Sequence, residues 1–284
     1  MSDPSNSVPI RPASTVVMLR KARVPPSPGP LETDARDEPF EVFMVRRSFR
    51  SEFVGGAYVF PGGAVDSSDS DLSAFFLGLS DEDASARLAL DHGGLRWYAA
   101  AARELFEEAG VLLAAHANSA PIDPSSDPGL ASQLVEWRRR LNAKEATFAD
   151  VLEALGVFLD INQLHFFSHW VTPPGQPRRY DTRFFLCEMP AAQKPLHDGV
   201  ETTDSLWITP RDALQAATEG RMTIIFPTLK NLELLASRGG IKQTIAWAKQ
   251  HTPRVVKPRV AMEEGFVRIL IPGDPGYEDA EEVN

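Results

Sequence analysis

The sequence predicts an α/β fold, a mixed sheet whose strands and helices interleave irregularly instead of forming a regular βαβ array. Three observations carry this. Short apolar runs such as "STVVMLRK" (14–21) and "FEVFMVRR" (40–47) have the length and composition of strands. Longer stretches such as "GLASQLVEWRRRLNAKE" and "TFADVLEALG" space their apolar residues as amphipathic helices do. The chain has 284 residues, 43% hydrophobic and 24% charged, which is enough for a substantial core in one or two domains.

In chain order, residues 1–13 are polar and proline-rich and read as disordered. Strand 14–21 and strand 40–47 make a central pair, separated by a loop (22–39) holding five prolines. "AYVF" (57–60) reads as a short strand, and Pro61-Gly62-Gly63 as a turn. An acidic, alanine-rich segment at about 67–93 suggests short inserted helices. A helix runs from about Leu95 to Leu113, with Gly110 near its end. A second helical insertion occupies about 117–160. "LHFFSHWVTP" (164–173) and "RRYDTRFFLCEMP" (178–190) form a hairpin-like pair of strands, and "SLWIT" (205–209) a further one. Helices follow in "PRDALQAATEG", "PTLKNLELLASRGG" and "IKQTIAWAKQH". The chain closes with strand-turn-strand character over 259–277, and 278–284 read as an acidic tail. A single domain spanning 14–277 is the expectation.

Composition narrows the function. A net charge of −10 argues against duplex nucleic acid as main partner. It leaves room for a phosphorylated substrate, because a bound cation inverts the local sign. No run of about 18 apolar residues predicts a membrane span. The N-terminus lacks a secretory h-region, and "DAEEVN" is no peroxisomal tripeptide, so a cytoplasmic protein is expected. Cys187 lies in the apolar run "RFFLCEM" and reads as a buried small hydrophobe.

One stretch carries the chemistry. In "RELFEEAGV" (103–111), Glu104 stands three and four residues before Glu107 and Glu108, so all three carboxylates share one helix face, with Arg103 beside them. A solvated acidic face would look the same. So would a site for a hard divalent cation, which wants oxygen ligands. The glycine turn of "VFPGG" upstream, where bare backbone can approach a metal or phosphate, favours the site.

These residues resemble the Nudix box: Gly, five residues, Glu, seven residues, then Arg-Glu-U-x-Glu-Glu-x-Gly-U with U aliphatic. "RELFEEAGV" fits every specified position of the second half, and "FPGG" (60–63) looks like the start. The first half departs from it. Counting from Gly63, the first acidic position falls on Asp69, not Glu. The arginine due at position 77 stands at 103, 26 residues late. A long insertion inside the box resembles the coenzyme A diphosphatase branch, of the nucleoside-diphosphate-linked moiety X motif 19 type. "RRYDTRFFL" and "IPGDPGY" extend the likeness.

The resemblance implies a Nudix-type α/β/α sandwich around a mixed β-sheet, and a diphosphatase. It implies Mg²⁺ or Mn²⁺ on Glu104, Glu107, Glu108 and the backbone carbonyl of Gly63, with Arg103 orienting Glu104. Glu104 is also a candidate base. The side chains of Glu107 and Glu108 are expected to face solvent. The substrate implied is a small-molecule nucleoside diphosphate, coenzyme A or acyl-coenzyme A. ADP-ribose or NADH hydrolysis, or a non-catalytic Nudix-fold binding module, are the alternatives.

Other candidates come from the flanking residues. The resemblance implies that a loop glutamate completes the metal site or serves as general base; among the acids Asp198, Glu201 and Asp204, Glu201 is the choice, and an acidic solvent loop is the alternative. Arg46, Arg47 and Arg50 end a strand leading to "FPGG" and suit bidentate phosphate contacts. Arg183 is a further substrate-binding candidate, although Arg178, Arg179 and Arg183 flank Asp181 and pairing with acids is equally expected. "WRRR" (137–140) reads as a solvated face with a buried Trp137, and His165 and His169 as structural. The apolar side of 72–79 is compatible with a homodimer contact, a lid or a core segment.

Overall fold

The structure is a computed structural model and describes residues 8–23, 39–49, 54–263, 266–278 and 280. The expected acidic tail lies outside these residues, apart from Glu278 and Ala280, and so does the start of the expected disordered N-terminus. Its strands are β1 (Ile10–Lys21), β2 (Phe40–Arg47), β3 (Tyr58–Val59), β4 (Gly62–Ala64), β5 (Ala114–Ala115), β6 (Phe158–Leu159), β7 (His165–Val171), β8 (Arg179–Glu188), β9 (Thr202–Ile208), β10 (Val255–Val256), β11 (Arg259–Glu263) and β12 (Phe266–Leu270). The α-helices are α1 (Asp81–Arg87), α2 (Leu95–Ala109), α3 (Pro128–Asn142), α4 (Phe148–Leu155), α5 (Pro210–Thr218), α6 (Phe226–Ala236) and α7 (Ile241–Gln250).

The main sheet is mixed and ordered β10-β7-β8-β1-β2-β3, with β4 added to β1 and β9 to β2. Strand β1 is its spine. It runs parallel to β8 from Ile10 opposite Arg179 to Leu19 opposite Glu188. Its other edge takes β4, with Ser14 opposite Gly63, and then β2, with Leu19 opposite Val42. Alternation along β1 feeds two cores. Val16 and Met18 join Phe43, Phe185 and Cys187 beneath α2, whose Tyr98, Leu105 and Phe106 are buried there. Val17 and Leu19 point the other way, joining Met44, Phe184 and Leu186 against α5, α6 and α7. A sheet carrying helices on both faces is the expected α/β sandwich.

Several boundaries differ from expectation. Strand β1 starts at Ile10, inside the segment expected to be disordered, because its first residues gain a parallel partner in β8. Helix α2 stops at Ala109, since Gly110 adopts the left-handed conformation (φ 69°) and its N–H bonds to the Phe106 carbonyl. The expected Pro-Gly-Gly turn is instead strand β4 at Gly62 and Gly63. A Cβ on Gly62 would lie 2.4 Å from the Ser14 carbonyl oxygen, so only glycine lets this strand approach β1. Leu72 and Leu79 are buried in the α2-side core, with Phe75 and Phe76 packed against it. The apolar side of 72–79 therefore contributes to the core. Cys187 is fully buried, and burial pushes its thiol up, away from reactivity.

Candidate active site

Helix α2 presents its glutamates because its other faces are committed. Ala101, Ala102, Leu105, Phe106 and Ala109 are buried against the sheet and the inserted helices. Glu104, Glu107 and Glu108 fall on the remaining stripe. They line one cavity of about 670 Å³ together with Glu201 and Asp198. Glu107 and Glu108, expected to be solvent-accessible, are partly so. The side chains of Glu104 and Glu107 are only 12% and 25% exposed, because the 67–75 segment and the α3–α4 turn wall the cavity.

Arg103 organises the group from below. It is 6% exposed. Its Nε and Nη2 donate to the two oxygens of Asp69 at 2.8 and 3.0 Å, a bidentate pair. Nη1 donates to Glu104 at 2.8 Å and to Glu107 at 3.2 Å, and Nη2 also reaches the Ala64 carbonyl at 2.9 Å. Burial opposes the arginine charge, yet Asp69 and the two glutamates outweigh it and push its pKa up. The Asp69 position, where the motif calls for glutamate, is thus an anchor buried to 1% exposure. Its place in the box was the only sequence signal for this. The 26 extra residues follow Asp69, so the clamp survives the insertion.

The glutamates remain under-compensated. Burial, then the neighbouring charge of Glu201, works against Arg103 and leaves the Glu104 carboxyl pushed up to about 7. Burial and the charge of Glu104 push Glu107 up to about 8, and push Glu108 well above its ordinary range. The Gly62 N–H donates to Glu108 at 3.0 Å, and the charge of Arg47 also favours its ionised form. Gly63 abuts Glu104: a Cβ there would lie 2.4 Å from its Oε1. Gly63→Ala should therefore leave the sheet in place but displace that carboxylate. Turnover is expected to fall on the order of a hundredfold, as for misplacement by about 1 Å. A folded variant with undiminished turnover would show that Glu104 needs no such seat.

Among the described residues, no three His, Cys, Asp or Glu side chains stand ready as a group to hold a metal ion. Glu104 and Glu107 are turned to Arg103, and Glu108 to the Gly62 amide. The donor set nonetheless fits a hard cation: three carboxylates within one helical turn, in one cavity, with too little positive charge to balance them.

Other sequence candidates separate. Glu201 is exposed on a loop shaped by Asp198, which accepts from the amides of Glu201 and Thr202 at 3.0 and 2.8 Å. Its charge acts on all three glutamates. Arg47 and Gly62 line a second, apolar cavity of about 320 Å³. Arg46 goes elsewhere, on the other side of a register shift that β2 makes between Arg46 and Arg47. Its guanidinium lies 4.6 Å from the Phe49 ring and 5.7 Å from the Tyr58 ring. Asp204 accepts from the Tyr58 hydroxyl at 3.1 Å. Arg50 lies outside the described residues. Arg183 is buried against Trp97 and Asp181 and lines a different cavity.

The "WRRR" stretch is not wholly a solvated face. Arg138 Nε donates to the Glu107 carbonyl at 2.9 Å, and Asn142 Nδ2 to the same oxygen at 3.2 Å. Both satisfy an orphan carbonyl in the last turn of α2. Nothing in the periodicity of α3 marked them.

Comparison with known proteins fits this geometry. The NUDT19 Nudix domain family matches residues 10–235, well over half of the chain. The chain belongs to that family. It is a Nudix hydrolase. Among its curated relatives are the acyl-coenzyme A diphosphatases NUDT19 of Gallus gallus and Homo sapiens. They are 29% and 28% identical over 94% of this chain, which covers 79% and 80% of their lengths. Among solved structures, a NUDIX hydrolase from Alicyclobacillus acidocaldarius is similar at TM-score 0.63 and 28% identity. The match covers 84% of this chain and 97% of that one. Among the described residues of this Nudix hydrolase, no helix is long and apolar enough to cross a membrane.

Proposed function

We propose that this Nudix hydrolase cleaves the diphosphate of coenzyme A or an acyl-coenzyme A, giving 3′,5′-ADP and (acyl) phosphopantetheine. The observation that carries the reading is the link, through one hydrogen bond, between two unlike cavities. Gly62 stands between them: it lines the apolar cavity, and its amide donates to Glu108, which lines the carboxylate cavity. A substrate with a diphosphate in its middle and a long, weakly polar arm matches that pairing. The names of the relatives support the same class.

Glu104, Glu107 and Glu108 would hold Mg²⁺ or Mn²⁺, with the Gly63 carbonyl at its edge. When bound, such an ion lowers the pKa of water and neutralises charge on the diphosphate. The chain's own residues do the rest. Arg103, anchored by Asp69, fixes where Glu104 and Glu107 can swing. Glu201 takes the proton of the attacking water as its oxygen bonds to one phosphorus and the bridging P–O bond breaks. Arg47 steadies the diphosphate by charge-assisted hydrogen bonds.

Mass spectrometry of products tests the reading. Coenzyme A, acetyl-coenzyme A, dephospho-coenzyme A, ADP-ribose and NADH are each incubated with Mg²⁺ or Mn²⁺, and again with chelator. Metal-dependent release of 3′,5′-ADP from coenzyme A is expected, with dephospho-coenzyme A a poor substrate. Cleavage of ADP-ribose or NADH alone would move the substrate assignment to those nucleotides. No cleavage at all would favour a binding module. Arg47→Ala should raise KM for coenzyme A roughly tenfold, the scale of one lost charge-assisted contact, with a smaller change in kcat. An unchanged KM would place Arg47 outside the substrate path.

A further inference from the structure

A third cavity, about 580 Å³, opens beside the first turns of α2, where Tyr98 lines it. The glutamates occupy the opposite, C-terminal half of that helix. Its basic and imidazole side chains are Arg87, His165, His169, Arg183, Lys249 and His251, beside the neutral Asn162, Gln250 and Thr252. This balance is the reverse of the molecule's, whose net charge is −10.

Arg183 is the built part of the site. It is 3% exposed, and its guanidinium carbon lies 4.0 Å from the Trp97 ring centroid. A guanidinium has five N–H donors. Here the bonds to the Asp181 oxygens measure 3.4 and 3.5 Å and the bond to the Leu88 carbonyl 3.4 Å, all long. Nε has no partner at all. A buried, under-bonded arginine is costly unless another acceptor arrives. Asp181 meets it only through those long contacts and also takes the His169 ring nitrogen at 2.5 Å. Arg87 and Lys249 lie close enough to His165 to act on its charge. Burial and those two cations hold that imidazole down to about 4, so at neutral pH it is an uncharged hydrogen-bonding group. Three permanent cations therefore meet one carboxylate that is already engaged.

We propose that this cavity binds a phosphate-class dianion, either inorganic phosphate or the phosphate of a small monoester, between Arg183 and the Arg87 and Lys249 side chains. The site is separate from the glutamate cavity and does not depend on the substrate assignment above. Phosphate suits it because the arginine fork offers two parallel donors and the cations lie on different elements.

Titration of the full chain in chelator tests this, since without a divalent cation the glutamate cavity repels anions. Inorganic phosphate and ribose 5-phosphate are added separately at constant ionic strength, with chloride as control, and Tm and calorimetric binding are read. The proteins are wild type, Arg87→Ala/Lys249→Ala and Glu107→Gln. Arg87 and Lys249 are exposed, so their removal spares the core. Saturable binding is expected in wild type and in Glu107→Gln, and about tenfold weaker in the double variant. Tighter binding of ribose 5-phosphate would identify a monoester site, and equal binding a site for free phosphate. No saturable binding, binding untouched in the double variant, or binding lost in Glu107→Gln would each overturn the proposal.

Discussion

Glu107→Gln and Glu108→Gln will each lower turnover on the order of a hundredfold or more, the range for removing one preorganised charged contact to a reacting centre. The metal-free protein will not pay for this in stability. Glu104, Glu107 and Glu108 crowd one half-buried stripe, and the charge of Glu104 raises the cost of ionising both Glu107 and Glu108. Replacing one carboxylate by a neutral amide of the same shape removes repulsion and keeps the hydrogen-bonding outline. The Tm of each apo variant is therefore expected to equal or exceed that of wild type, while the Tm gain on adding Mg²⁺ shrinks. Steady-state assays and thermal scans in parallel decide it. If turnover survives in both variants, these carboxylates lie outside the chemistry. If the apo Tm drops sharply, their role is structural.

The second large effect lies at Asp69. Asp69→Ala leaves the guanidinium of Arg103 buried without its bidentate partner. Breaking a buried pair from one side costs about 3–5 kcal/mol. Glu104 and Glu107 still touch Arg103, so the lower end is expected, about 3 kcal/mol, or a Tm loss on the order of 10 °C for a chain of this size. Turnover at a temperature where the variant is folded should fall as well, because the released guanidinium draws the two glutamates towards itself. A variant with wild-type Tm and activity would show that Arg103 is held by its other partners alone.

Much of this was legible before any coordinates. The three glutamates were placed on one face by 3.6-residue periodicity, and α2 keeps them there. "STVVMLRK" and "FEVFMVRR" were read as a central pair of strands, and they pair as β1 and β2. Glu201, some hundred residues away in sequence, lines the same cavity as the glutamates. The misreadings share one cause. Turn, strand and exposure depend on partners distant in sequence. Gly62 and Gly63 have turn chemistry locally, but β1 makes them a strand. Arg46 and Arg183 carry the charge for phosphate, yet one stacks near Phe49 and the other sits under Trp97.

The sequence by itself determined the local chemistry: which helix bears the carboxylates, which segments are strands, and what class of cation such a face suits. These follow from short-range periodicity and residue type. Only the tertiary structure decided that Asp69, ahead of a 26-residue insertion, closes on Arg103, and that Arg138 from another insertion ties down the end of α2. It also decided that β8 turns Tyr180, Thr182 and Phe184 to one cavity and Arg183 to another. Such pairings rest on burial, where a charge or carbonyl left alone costs kilocalories, and burial is set only when distant segments come together.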